Sequence, residues 1–146
     1  MAKALNQLKS VVARLRSPKG CPWDRKQTHE SLIPYLREES AELAEALKGG
    51  RWHEMEDELG DILFHVILHA KIAEEKGWFT FEDVARAQAI KLMRRHPHVF
   101  ARDRKFGSAD EVVEHWKEIK STELALRDGD VAKRKARKRA ADRKGA

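Results

Sequence analysis

The chain has a single cysteine, Cys21, in 146 residues. That excludes an internal disulfide framework and a cysteine-rich zinc site. It fits a reducing, cytoplasmic setting. Aromatic residues are only 7% of the chain while charged residues are 37%, the mixture of a well-solvated helical protein rather than a β-sandwich. No apolar run approaches the ~20 residues needed to span a bilayer. The first sixteen residues interleave Lys3, Lys9, Arg14 and Arg16 with apolar positions, which leaves no apolar segment for a signal peptide. No Walker A sequence, GxGxxG or HExxH is present, so the common phosphate-loop, dinucleotide and zinc-protease motifs are missing.

The folded part also lacks an excess of either charge. The net charge is +6, but it resides at the end of the chain. Residues 131–146 hold eight Lys/Arg against one acid, Asp142, and the other 130 residues hold 22 basic and 23 acidic side chains. The sequence therefore divides into a near-neutral domain over residues 1–128 and a basic tail over 129–146. The tail has no core face and reads as disordered or conditionally helical. A nucleic acid or an acidic partner is expected only through that tail.

What is present is helical periodicity. Leu5, Leu8, Val11, Val12 and Leu15 predict a helix over residues 4–16, stopped by Ser17-Pro18-Lys19-Gly20. A loop is expected from Cys21 to Gln27. Thr28 is the expected N-cap of a second helix running to about Lys48, its regular part beginning nearer Ile33 because of Pro34. Gly49-Gly50 breaks the chain before a third helix from about Trp52 to Lys76. Trp52, Met55, Leu59, Ile62, Leu63, Val66 and Ala70 are its expected core stripe. From Ile62 to Leu68 this helix is apolar nearly all round, which predicts a subunit interface. A fourth helix begins at Thr80, with Asp83 three residues on, and closes at Pro97. Val84, Ala87, Ile90, Leu92 and Met93 supply its apolar side. A loop from His98 to Gly107 precedes a fifth helix with Ser108 as N-cap and Glu111 completing a capping box. No strand or repeat is evident. The fold class is all-α, four main helices plus extras.

The most informative stretches are Glu38-Glu39-x-x-Glu42 and Glu58-Leu59-Gly60-Asp61. In an antiparallel hairpin turning at Gly50, Glu42 faces Glu58 and Glu39 faces Asp61. The two pairs stand one turn apart. A lone glutamate of this kind is an ordinary solvated side chain. Four carboxylates at matched positions repel one another, and cations between them relieve the repulsion. All-oxygen ligands favour Mg²⁺ or Mn²⁺. Four acids can hold two such ions ~3.5–4 Å apart, the arrangement used in phosphoryl chemistry. A rival site uses His65 and His69, which share a helical sector with Glu58 and Asp61. It lacks the Glu-x-x-His pairs of di-iron bundles, and packing or interface roles suit both histidines better.

Downstream, Lys91 and Arg95 share a helix face, with Arg94 beside them. They are either partners of the helix C-terminus or holders of phosphate oxygens. Trp23 and Trp116 either stack on a base or pack. Cys21 has no evident paired base and is not expected to act as a nucleophile.

Cys21-Pro22-Trp23-Asp24, Gln27-Thr28-His29, the EExxE and ExxD pair, Arg94-Arg95-His96-Pro97-His98-Val99-Phe100 and Trp116-x-x-Ile119-Lys120 together resemble the MazG family of nucleoside triphosphate pyrophosphohydrolases. The resemblance covers about residues 5–125. It implies an antiparallel four-helix-type bundle with extra helices, assembled as a homodimer. It further implies Mg²⁺-dependent hydrolysis of NTPs or dNTPs to the monophosphate and pyrophosphate. By motif position Glu39, Glu42, Glu58 and Asp61 match the family's metal ligands. Glu38 matches an acid that supports the ligands or orients water, and Lys91 and Arg95 match phosphate-contacting positions. Many family members carry two such domains and this chain has one. The basic tail is not part of the pattern. Two other readings stand beside this one: a non-catalytic binding module acting through the tail, and a narrow-specificity dUTPase-like or dCTPase-like relative. The intact acids argue against a mere scaffold.

Overall fold

The computed structural model describes residues 2–102 and 104–124. Among them there are helices and no strands. In order these are α1 Ala2–Leu15, α2 Pro22–Lys26, α3 Ile33–Gly49, α4 Trp52–Glu75, α5 Phe81–Arg95 and α6 Pro97–Phe100, then α7 over residues 109–124. The chain divides into two compact units, Met1–Arg86 and Ala87–Ala146. The basic tail lies outside the described residues. No helix among them is long and apolar enough to cross a membrane.

In the first unit α3 packs along α4 and α1 packs against α4. Val12, Leu32, Ile67, Leu68 and Ile72 form the core, with Leu5, Leu8, Phe64 and Phe81 packed against it. Two left-handed glycines make the turns. Gly50 has φ +64°, and the Gly50 and Arg51 amides return to the Leu47 and Ala46 carbonyls at 3.3 and 3.4 Å. Gly77 has φ +68° and closes α4 in the same way, through Trp78 to the Ala73 carbonyl at 2.9 Å. Only glycine adopts this conformation without strain. Arg16 ties the segment after α1 to the end of α4. It reaches both Glu75 oxygens at 2.9 and 2.7 Å and the Asp24 carbonyl at 2.6 Å.

Several sequence expectations need correction. The expected loop from Cys21 contains α2, because Pro22 sits at its first turn with Asp24 and ends on Arg25 and Lys26, a favourable charge order for a short helix. The expected loop from His98 opens inside α6, again started by a proline. Thr28 does not cap α3. It forms a reciprocal turn with Ser31, and Leu32 occupies the cap position. Of the expected α4 core stripe, Ala70 is buried and Met55 and Ile62 are half-buried, but the rest is not covered by the described residues. Trp52 and Leu59 are 64% and 54% exposed, and Leu63 and Val66 are exposed too. The buried residues are His65, Ile67, Leu68, Ala70, Ile72 and Ala73. α1 covers the second half of α4 from one side, and the all-round apolar stretch allowed either side to be the inner one. No residue of α5 is buried.

In the second unit the start of α7 follows expectation. Ser108 Oγ accepts the Glu111 amide at 3.3 Å, and Glu111 accepts the Gly107 amide at 2.9 Å. The start of α5, in the first unit, is capped by Thr80 and Asp83 through 2.9 and 3.2 Å bonds.

Candidate metal centre

The Gly50 turn sets α3 and α4 side by side, and it brings acids from both helices together. Glu39 from α3 and Glu58 and Asp61 from α4 place one carboxylate oxygen each within 4.8 Å of one another. Glu58 and Asp61 share a face because they are three residues apart. Glu39 and Glu58 are half-buried and Asp61 is exposed.

Among the described residues, no cation pairs with any of these acids. Burial pushes the Glu39 carboxyl above the usual carboxylate range, and the charges of Asp61, Glu42, Glu58 and Glu38 push it the same way. Burial likewise raises Glu58, followed by the charges of Glu42, Asp61, Asp57 and Glu54. Glu58 Oε2 is buried with no hydrogen-bond partner. An unpartnered buried carboxylate oxygen is costly unless something positive meets it. An all-oxygen donor set of negative charge fits a hard divalent cation such as Mg²⁺ or Mn²⁺.

Of the expected ligands, three converge. Glu42 is exposed and stands outside the close trio, although its charge acts on both Glu39 and Glu58. Glu38 is exposed and acts only through charge on Glu39.

The histidines form a separate cluster. His29 and His69 stack at 5.1 Å with their Nδ1 atoms 2.8 Å apart, one ring donating and the other accepting. Trp78 stacks on His29 at 5.7 Å. His65 is buried, and burial lowers its pKa against the pull of Asp61. Neither His65 nor His69 joins the acidic trio within ligand distance. Trp23 is 44% exposed and meets Tyr35 edge-on at 5.6 Å.

Lys91, Arg94, Arg95 and Trp116 belong to the second unit. The two arginines are not free. Both pair with Glu123, Arg94 at 3.0 Å and Arg95 at 2.7 Å. Trp116 donates its indole N–H to the Arg95 carbonyl at 3.0 Å, so it braces the end of α5. Glu123 was not among the sequence candidates. A lone acid seven residues after Trp116 carries a faint signal, since that spacing puts both on one helix face.

The MazG nucleotide pyrophosphohydrolase domain matches residues 27–100. The chain is 51% identical over 117 residues to the nucleoside triphosphate pyrophosphohydrolase/pyrophosphatase MazG of Thermotoga maritima, covering 80% of this chain and 44% of that one. It is 42% identical over 122 residues to the nucleoside triphosphate pyrophosphohydrolase of Escherichia coli K12, covering 83% and 46%. The chain thus spans less than half the length of these curated relatives. Its structure resembles the crystal structure of a mazG-related protein from Thermotoga maritima, with TM-score 0.64, 31% identity, and coverage of 80% of this chain and 98% of that one. On the match of residues 27–100 and on this likeness at nearly full length of the solved chain, the protein belongs to the MazG family.

Proposed function

We propose that the chain hydrolyses nucleoside triphosphates, NTP or dNTP, to the nucleoside monophosphate and pyrophosphate with the help of Mg²⁺ or Mn²⁺. The observation that carries this is the unpaired trio of Glu39, Glu58 and Asp61, with oxygens within 4.8 Å. The names of the relatives, both nucleoside triphosphate pyrophosphohydrolases, support the reaction.

Glu39, Glu58 and Asp61 would hold the metal, with Glu42 adding charge beside them. When bound, the metal offsets the carboxylates' repulsion, draws triphosphate oxygens to the site and makes water more acidic. Water attacks the α-phosphorus, the bond from that phosphorus to the bridging oxygen breaks, and pyrophosphate leaves with the electron pair. The exposed Glu38 carboxylate accepts the proton that the water loses. Lys91 and Arg95, in the second unit, are the phosphate-contacting residues that the family resemblance implies. Trp23, exposed on one face, offers a surface for a base. Arg94 is engaged with Glu123 and adds field rather than direct contact.

The working form is a homodimer. Leu47, Trp52 and Leu59 on the α3–α4 hairpin are each more than half exposed, as are Ile90 and Met93 on α5. A second copy covering such apolar area would complete a four-helix-type bundle. The role is clearance of unwanted nucleotides from the pool, in the cytoplasm.

A panel of NTPs and dNTPs tests the reaction by pyrophosphate release in the presence of Mg²⁺. Pyrophosphate and monophosphate in equal amounts are expected. Orthophosphate with a nucleoside diphosphate would overturn the assignment. A panel with activity confined to one pyrimidine dNTP would replace pool clearance with a narrow role. Sedimentation of the full chain tests the dimer, and a monomer at micromolar concentration would contradict it.

A further inference from the structure

Glu123 is a buried acid for which the reaction above has no use. It lies in the last described turn of α7 and is 7% exposed. Its Oε1 accepts from Arg94 Nε at 3.1 Å and Arg94 Nη2 at 3.0 Å, and more weakly from Arg95 Nε at 3.4 Å. Its Oε2 accepts from Arg95 Nη2 at 2.7 Å. Two guanidiniums adjacent in sequence repel, and this one carboxylate holds both.

The grip has a second point. Trp116 lies two turns earlier on the same face of α7, and its indole binds the Arg95 carbonyl. The last turn of α5 is therefore fixed by its backbone and by its side chains. Hydrogen bonding from Arg95 is the largest influence holding the Glu123 carboxyl below the usual carboxylate range. The acid stays ionised at neutral pH and keeps its hold.

The clamp leaves capacity unused. A guanidinium has five N–H donors in a fixed fork. Glu123 occupies the Nε and Nη2 edge of Arg95, and among the described residues nothing takes Nη1. Lys91, one turn earlier on α5, has no ion-pair partner among the described residues. Two guanidiniums thus contact one buried anion, and Lys91 shares the Arg95 face of α5. A bridge serving only to neutralise charge would not leave positive charge over. A polyanion is the natural complement.

We propose that Glu123 is a positioning residue: it fixes the Arg95 fork so that the free Nη1 edge, together with Lys91, receives a pyrophosphate group. The choice of anion rests on the proposed reaction. The role of Glu123 goes beyond it, because this side chain touches no substrate.

The test is calorimetric binding of inorganic pyrophosphate, with Mg²⁺, to the full chain. Glu123→Gln is expected to weaken binding about tenfold, roughly what loss of a charge-assisted contact costs. Arg95→Ala should weaken it at least as much. The double variant should bind no more weakly than Arg95→Ala alone, since Glu123 acts through Arg95. If circular dichroism shows the Gln variant unfolded, Glu123→Asp replaces it, with a smaller loss in the same direction. Unchanged binding in the folded variant, or losses that multiply in the double variant, would overturn the role of Glu123. Binding is read without turnover. A wild-type chain that binds pyrophosphate but cleaves no triphosphate would therefore overturn the reaction and not the clamp.

Discussion

Two dense clusters of charge in this chain are handled in opposite ways. On the α3–α4 hairpin, Glu39, Glu58 and Asp61 crowd within 4.8 Å with no cation among the described residues, and Glu58 keeps a buried oxygen unpartnered. Where α7 meets the end of α5, Arg94 and Arg95 are also crowded, yet Glu123 lies between them in contact with both. The second cluster is solved within the fold. The first is left unsolved, and its repulsion is a standing cost that a ligand can remove. Stability alone gives no reason to keep three like charges together; a metal site does.

The largest expected effect comes from removing one unpaired acid. Asp61→Asn should lower pyrophosphate release by about a thousandfold, the scale of losing a metal-organised step. The same change should raise the melting temperature of the metal-free chain, because it relieves repulsion. A lower metal-free melting temperature would break the contrast between the clusters.

The next effect is a pH dependence. Glu39 and Glu58 are both raised above 4.5 in the folded chain. Below the unfolded value both states hold these protons and the groups cost nothing. As pH rises through the raised folded values, the metal-free chain loses stability. Glu75 and Glu123 are lowered by their arginine partners and act in reverse, losing their contribution as pH falls. The clean readout is therefore the difference between wild type and Glu58→Gln. That difference should grow from pH 4.5 to neutral without metal and shrink when Mg²⁺ is added. A pH-independent difference would contradict the repulsion.

Glu123→Gln probes the satisfied cluster. Breaking a buried charge-assisted pair should cost about 2 kcal/mol, read by urea unfolding, with no relief from Mg²⁺. The smallest effect is expected away from both clusters. Thr80→Ala removes the α5 cap and should cost about 1 kcal/mol while leaving pyrophosphate release per folded molecule unchanged.

Legibility in the sequence followed local physics. The Gly49-Gly50 break, the Thr80–Asp83 and Ser108–Glu111 caps and the pairing of α3 with α4 rest on short-range rules, and the hairpin arithmetic brought Glu39 and Asp61 together. What failed depended on neighbours. Within residues 62–68, where α4 is apolar nearly all round, the inner face could not be chosen, so Ile67 and Leu68 are buried while Leu63 and Val66 are not. Glu42 acts on Glu39 and Glu58 through its charge, with its exposed carboxylate beside the trio that lies within 4.8 Å. The pairing of Arg94 and Arg95 with Glu123 spans 29 and 28 residues. No periodicity links residues at that distance.

The central claim is that the unpaired hairpin acids are a metal site. Mn²⁺ binding by the full chain, followed by electron paramagnetic resonance, tests it most directly. Saturable binding by wild type is expected, weakened at least ~10-fold in both Glu58→Gln and Asp61→Asn and unchanged in Thr80→Ala. Equal binding by wild type and both acid variants would contradict it.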